Sequence, residues 1–415
     1  MKILFLQDDF PPYSFGGAGV VAFNLAEGLQ KLGHQIYVIT TVQDKTMAGK
    51  LDYQGLTIFR IYTKYHERWR AYLSLYNPQT IKQVKKIIKQ ISPDVVHVHN
   101  LHYYLSYACL KIAKKYSRAV FLTAHDVMLF HYGKIVESIN PNDLSIPKTL
   151  YYKISPGQLI KRYKKRYNPL RNIIIKYYLK YVDKIFSISH VLKDALLQNG
   201  IKNIEVIHNG IDEVQWQVSD EKLNNFKKKH NLFNKKIVFF GGRLSDLKGG
   251  EKIINAMEIV TEQISDAVLL VAGRKDNYTQ KMLKLAKSKN VSLILTGWID
   301  GNDLKSAYQS SHIIVTPSIY LDPFNLINIE GMAYKKPIVG ACFGGIPEII
   351  VNNQTGYIVN PLDIQTMAKK IIDLLKNPNK AERFGLAGYK RVKQEFSLKK
   401  QAEQYLKWFR KYKNG

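Results

Sequence analysis

Two carboxylates flank a helix start late in the chain, in Ser318-Ile319-Tyr320-Leu321-Asp322-Pro323-Phe324-Asn325-Leu326-Ile327-Asn328-Ile329-Glu330-Gly331-Met332-Ala333. Asp322 falls on the turn and Glu330 inside the following helix, after the apolar strand His312-Ile313-Ile314-Val315-Thr316-Pro317. From Phe324 onward the residues read as a helix whose first backbone N–H groups have no partner within the helix and suit a phosphate. Upstream, Lys236-Ile237-Val238-Phe239-Phe240 leads through Gly241-Gly242 to the cations Arg243 and Lys248, five apart. Downstream, Gly344-Gly345-Ile346-Pro347-Glu348 follows the strand Pro337-Ile338-Val339-Gly340. Loops marked by glycine or proline, each at the end of a strand, gather along one crevice at the carboxyl edge of a parallel sheet. Cations and N–H groups for a diphosphate, beside acids for hydroxyls, outline a nucleotide-sugar site.

The elements that must position these groups repeat once along the chain. At 415 residues the length suggests more than one domain. The chain opens with the strand Lys2-Ile3-Leu4-Phe5-Leu6, a loop with Gly16, Gly17 and Gly19, and a helix carrying Val21, Leu25, Leu29 and Leu32 at helical spacing. The same grammar returns at Ile237. Strands alternate with amphipathic helices in each half, which predicts doubly wound parallel sheets. Residues 1–210 are expected to form the first domain, 211–235 a linker, 236–395 the second domain, and 396–415 a final helix that could belong to either half, including by packing back on the first.

The formal net charge is +29, which implies an anionic partner. It concentrates in residues 148–184, where eleven basic residues face only Asp183. Tyrosines 151, 152, 163, 167, 177, 178 and 181 alternate there with Ile173, Ile174, Ile175 and Leu179. Such a segment suits the headgroup level of an anionic membrane, each basic residue contributing about 1 kcal/mol. The plain alternative is an aliphatic face packed on the first domain and a solvated basic face. Nucleic acid is set aside as a partner because no recognised binding motif accompanies the charge. No apolar run approaches the length of a spanning helix, and the N-terminus enters a strand directly, so a cytoplasmic protein, peripheral on the inner face of the membrane, is expected. Cys109 and Cys342 lie in apolar segments and read as buried free thiols.

Taken in order, the motifs resemble glycosyltransferase family 4, the retaining nucleotide-sugar glycosyltransferases of the GT-B fold, over essentially the whole length. The resemblance rests on Pro11-Pro12-Tyr13-Ser14-Phe15-Gly16-Gly17-Ala18-Gly19, Leu32-Gly33-His34-Gln35, Asp94-Val95-Val96-His97-Val98-His99 and Thr123-Ala124-His125-Asp126. It continues through Ser187-Ile188-Ser189, His208-Asn209-Gly210-Ile211-Asp212, Gly242-Arg243-Leu244 with Lys248-Gly249, and the acid pair. It implies two Rossmann-like domains facing a central cleft. The family's first acid is usually glutamate, followed by Pro-Phe-Gly-Leu. Asp322 and Asn325 depart from that pattern and bear on which sugar is accepted.

The resemblance implies a hexosyltransferase that moves a sugar, with retention, from a UDP- or GDP-linked donor. Its acceptor would be a lipid-linked or polysaccharide-precursor glycan in cell-surface synthesis. Arg243 and Lys248 would meet the diphosphate, helped by backbone N–H groups of Gly16 and Gly17 and of Phe324, Asn325 and Leu326. No cofactor or metal is then needed. Glu330 would accept from ribose hydroxyls, Asp322 would address the sugar, and His125 would position sugar and acceptor. The plain reading of His125 is a cap on the turn after its strand. His97 and His99 share one strand face and read as structural or cleft-lining; Asp8 and Asp9 read as loop-terminating. Two alternatives stay open: a sugar-nucleotide epimerase of the same fold, and a catalytically silent scaffold that binds glycan or membrane. A nicotinamide dehydrogenase is disfavoured because the first glycine loop begins well after its strand.

Overall fold

The computed structural model describes residues 1–13, 16–212 and 217–413. The chain forms two compact units. The first takes 1–135, 152–210 and 398–415, the second 136–151 and 211–397. Ser14 and Phe15 of the first glycine motif, and residues 213–216 of the expected linker, lie outside the described residues.

In the first unit the described strands are β1 (Lys2–Leu6), β2 (Gln35–Val42), β3 (Gly49–Tyr53), β4 (Leu56–Tyr62), β5 (Val95–Val98), β6 (Ala119–Ala124), β7 (Lys184–Ser187) and β8 (Ile204–Val206). They hydrogen-bond in the order β3-β4-β2-β1-β5-β6-β7-β8. All neighbours are parallel except β3 and β4, an antiparallel ribbon at one edge. Apolar runs such as Ile3–Leu6 are wholly buried because helices cover both faces of such a sheet. The final helix, Leu398–Lys413, inserts Tyr405, Leu406 and Phe409 among Phe5, Phe121 and Phe186. It lies on helix Gly17–Lys31, where Leu398 fits against Gly28.

The second unit contains β9 (Lys236–Gly241), β10 (Ala267–Ala272), β11 (Leu293–Gly297), β12 (Ile313–Thr316), β13 (Ile338–Ala341) and β14 (Gly356–Val359). Their order, β11-β10-β9-β12-β13-β14, is all parallel and is the 3-2-1-4-5-6 arrangement of a dinucleotide-type sheet. The strand order reverses between β9 and β12, as it does between β1 and β5 in the first sheet. Ligands bind outside the carboxyl ends of strands at such points.

Several stretches differ from the sequence reading. Within 211–235, Asp220–Lys229 is a helix of the second unit, held by buried Phe226 and by Lys229 at 3.2 Å from Asp303. Residues 136–151 also join that unit, because the Asn360 side-chain amide donates to the carbonyls of Asp143 (2.9 Å) and Ser145 (2.7 Å). The basic segment is not uniformly a surface: Tyr152, Tyr167 and Arg171 are buried. The Arg171 guanidinium donates to the carbonyls of Met128 (2.5 Å) and His131 (3.4 Å). Cys109 and Cys342 are both free and buried. No described helix is long and apolar enough to cross a membrane.

Candidate functional site

The second unit brings Lys248 and Asp322 together at the switch point of its sheet. Lys248 ends a short helical turn, Asp246–Lys248, after β9, and Asp322 lies in the loop after β12. The Ile319 N–H donates to the Leu247 carbonyl (2.9 Å), tying the two loops. Gly249 follows at φ +80°, where an added Cβ would stand 2.1 Å from the Pro317 carbonyl oxygen, so only glycine allows this approach. Lys248 Nζ then reaches Asp322 Oδ2 at 2.7 Å.

The same oxygen accepts from Ser318 Oγ (2.9 Å) and Asn325 Nδ2 (3.1 Å). Asp322 is only 6 % exposed at its side chain, so these three donors replace water around its charge. Burial pushes the Lys248 ammonium down, but the Asp322 carboxylate and Tyr320 more than reverse this and hold it above the usual lysine range. The backbone of Asp322 is fixed as well. Its carbonyl accepts from the Gly345 N–H (2.8 Å), and Gly344, at φ +71°, leaves no room for a side chain beside it.

Asn325 shapes the helix start. Its side chain caps the helix by accepting from the Ile327 N–H (3.3 Å), so the helix runs Leu326–Ala333 and begins two residues later than the sequence suggests. Phe324 therefore precedes the helix, and its buried ring packs 5.8 Å from Phe396. Glu330 lies one turn into this helix, where Tyr308 donates to its carboxylate at 2.5 Å. Burial pushes Glu330 up to about 7, partly offset by that hydrogen bond. Arg243 follows Gly241 and Gly242 at the end of β9, is exposed, and has no ion-pair partner among the described residues. Lys248, Asp322 and Asn325 are thus bonded into one cluster, Glu330 is engaged by Tyr308, and Arg243 stands outside both sets.

In the first unit, Gly16 and Gly17 open the helix Gly17–Lys31, which has no side-chain cap on its first N–H groups. His125 is the first residue after β6, and its Nε2 shares a 2.7 Å hydrogen bond with His99 Nδ1, beyond the end of β5. The turn there is capped by Asp126, which accepts from the Met128 N–H (2.8 Å). His125 thus has no need to be the cap. His97 bonds Thr123 (2.8 Å), which in turn bonds the Tyr405 hydroxyl of the last helix (3.0 Å). Burial holds His97 and His99 well below the ordinary imidazole range and pushes His125 down to about 4, so all three are neutral at pH 7. A small pocket beside them is lined by His99, His102, Tyr107, His125, Asp126 and Leu129. Asp8 holds a distant loop: its carboxylate accepts from the N–H groups of Tyr103, Tyr104 and Leu105 (2.7–2.8 Å). Burial nonetheless pushes it up to about 7.

Sequence reasoning missed Ser318, Tyr308 and the pairing of His99 with His125. Ser318 carries a weak signal, four residues before an acid in one loop. Tyr308 carries none, since it reaches Glu330 from another helix.

Comparisons with known proteins agree with this architecture. An uncharacterized glycosyltransferase of Methanocaldococcus jannaschii is 26% identical over 373 residues, covering 89% of this chain and 87% of that protein. Sucrose-phosphate synthase from Thermosynechococcus elongatus superimposes with a TM-score of 0.77 at 20% identity, covering 99% of this chain and 98% of that one. Anabaena HepE, solved in complex with UDP-glucose, gives 0.70 at 17% identity over 98% of this chain and all of that one. These likenesses place the two Rossmann-like units in the GT-B fold. The model of Glycosyltransferase Family 4 matches residues 15–215 and that of Glycosyl transferases group 1 matches 222–391, leaving only a six-residue gap between them. This chain belongs to glycosyltransferase family 4, the group 1 glycosyltransferases.

Proposed function

We propose that the enzyme transfers a hexosyl unit, with retention and without a metal, from a UDP- or GDP-linked sugar to a lipid-linked or polysaccharide-precursor acceptor. It would do so at the anionic inner face of a membrane, in cell-surface glycan synthesis. The observation that carries the reading is the Lys248–Asp322 cluster at the switch point of the second sheet. A diphosphate arriving there takes up the Lys248 ammonium, and Asp322, still held by Ser318 and Asn325, turns its carboxylate to the sugar hydroxyls. The charge growing on the departing diphosphate is met by fixed cations, Lys248 and Arg243, and by backbone N–H groups of Phe324, Asn325 and Leu326 and of Gly16 and Gly17. Glu330, once ionised, accepts from the ribose. In the first unit His125 is neutral and its Nε2 is engaged by His99, so its Nδ1 would position a hydroxyl without repelling a cationic transition state. HepE's complex with UDP-glucose supports a nucleotide-sugar donor by analogy of fold.

The test is an incubation of the purified enzyme with nucleotide sugars, a lipid-linked glycan acceptor and a chelator, with the anomeric configuration of the product read by NMR. A retained linkage formed in the presence of chelator is expected, and Glu330→Ala should abolish it in a protein that still folds. An inverted product, a requirement for metal, or epimerised donor formed without acceptor would overturn the proposal.

A further inference from the structure

We infer that the first unit carries a docking face for an anionic lipid bilayer, assembled from two segments distant in sequence. One is the short helical stretch Glu67–Leu73; the other runs from Pro156 to Leu179. A shared floor fastens them together: Ala71, Met128, Tyr132, Leu159 and Tyr167 form one buried apolar cluster. The Arg70 guanidinium lies 4.4 Å from the centre of the Tyr132 ring, and the Tyr163 ring meets Tyr132 edge-on at 5.3 Å. Trp69, Tyr72, Ile160, Leu170, Ile173 and Tyr177 are all exposed, Ile173 by 67%. Ile173 and Tyr177 stand four apart on one helix face, while Arg171 and Ile175 of the same helix point inward and are buried. Large exposed apolar groups on two segments joined by one buried floor mark an interaction surface.

Charge identifies the occupant. Arg162, Lys164, Lys165, Arg166, Lys176 and Lys180 are exposed around the apolar tips. The one acid between residues 148 and 184, Asp183, is already engaged by Lys114 (2.6 Å) and the Val120 N–H (2.8 Å), so this segment keeps a large positive excess. A second copy of the chain would bring like charges together. Aliphatic and indole tips also need an apolar layer beneath the fixed anionic charge, and a phospholipid bilayer supplies both. In purpose the proposal rests on the lipid-linked acceptor reading, but the two fail separately.

The test is co-sedimentation of the full chain with phosphatidylcholine vesicles, with and without phosphatidylglycerol, at low and high salt. Binding only to the anionic vesicles, weakened by salt, is expected. Lys176→Glu with Lys180→Glu should weaken it by about thirty-fold or more, at about 1 kcal/mol per basic residue near the surface. Ile173→Asp should weaken it as well, and all three sites are exposed, so folding is kept. Lys222→Glu with Lys228→Glu in the second unit removes the same net charge and should change little. Equal loss in that control, binding to neutral vesicles, or a face that instead binds RNA or a second copy of the chain would overturn the inference. Nucleotide binding by the variants should be unchanged. Its absence in the parent protein would count against the transferase reading alone.

Discussion

Replacing Lys248 with alanine separates what the cation does for the fold from what it does for the donor. In the parent protein Asp322 Oδ2 accepts from Lys248 Nζ at 2.7 Å, Ser318 Oγ at 2.9 Å and Asn325 Nδ2 at 3.1 Å. The variant leaves a nearly buried carboxylate with neutral donors, Ser318 and Asn325 among them. Removing one partner of a buried pair costs about 3–5 kcal/mol. Lys248 is 23 % exposed at its side chain, so water screens part of the interaction and we expect about 2–3 kcal/mol. For a unit of this size that is a fall of roughly 4–12 °C in Tm, read by calorimetry at neutral pH. Adding Asp322→Asn removes the stranded charge and should restore most of the loss. Affinity for the nucleoside diphosphate, measured by titration calorimetry, should stay lost in both variants. A Tm unchanged by Lys248→Ala, or undiminished diphosphate binding, would refute the reasoning.

Glu330 gives a pH signature. Its pKa is raised from 4.5 to about 7, so the folded state holds the proton more tightly than the unfolded one, and stability falls as pH rises through that window. Glu330→Gln, permanently neutral, should match the parent near pH 4 and exceed it by about 3 kcal/mol above pH 7, at 1.36 kcal/mol per pKa unit; parallel stability profiles would show that Glu330 is not desolvated. Arg171→Met should destabilise by about 1–3 kcal/mol because the Met128 and His131 carbonyls lose a charged donor, and Arg171→Lys should not fully rescue it, lacking the planar fork. Chemical unfolding reads both, and full rescue by lysine would mean that charge alone matters.

The parts of the fold that follow from local pattern were legible. Runs such as Ile3–Leu6 and Ile237–Phe240 are apolar throughout, and they form the central strands β1 and β9 of the two sheets. Lys248, Asp322 and Glu330 were recognisable because each sits at a fixed offset from a strand end. What lay hidden depends on contacts between distant residues. Nothing local tells that Asn360 captures residues 143–145 for the second unit, or that Tyr308 covers Glu330. Residues 148–170 alternate tyrosine with lysine and arginine without a sustained period, broken at Ser155, Lys164 and Pro169. Which tyrosines turn inward is therefore decided by Tyr132 and Leu159 rather than by spacing. Asn325 was flagged for its side chain, and that side chain caps a helix and holds Asp322.

The last helix sets the order in which the protein takes shape during synthesis. Tyr405, Leu406 and Phe409 complete the core of the first unit, yet the ribosome adds them after every residue of the second unit. Domains usually mature in the order they emerge, N-terminal first. Here the second unit has all its residues once Ser397 has emerged, while β5 and β6 wait with an apolar face unfilled. The nascent first half is therefore the part that chaperones must shelter. Deleting the final helix would strand it in that immature state, however sound the Lys248–Asp322 cluster made before it.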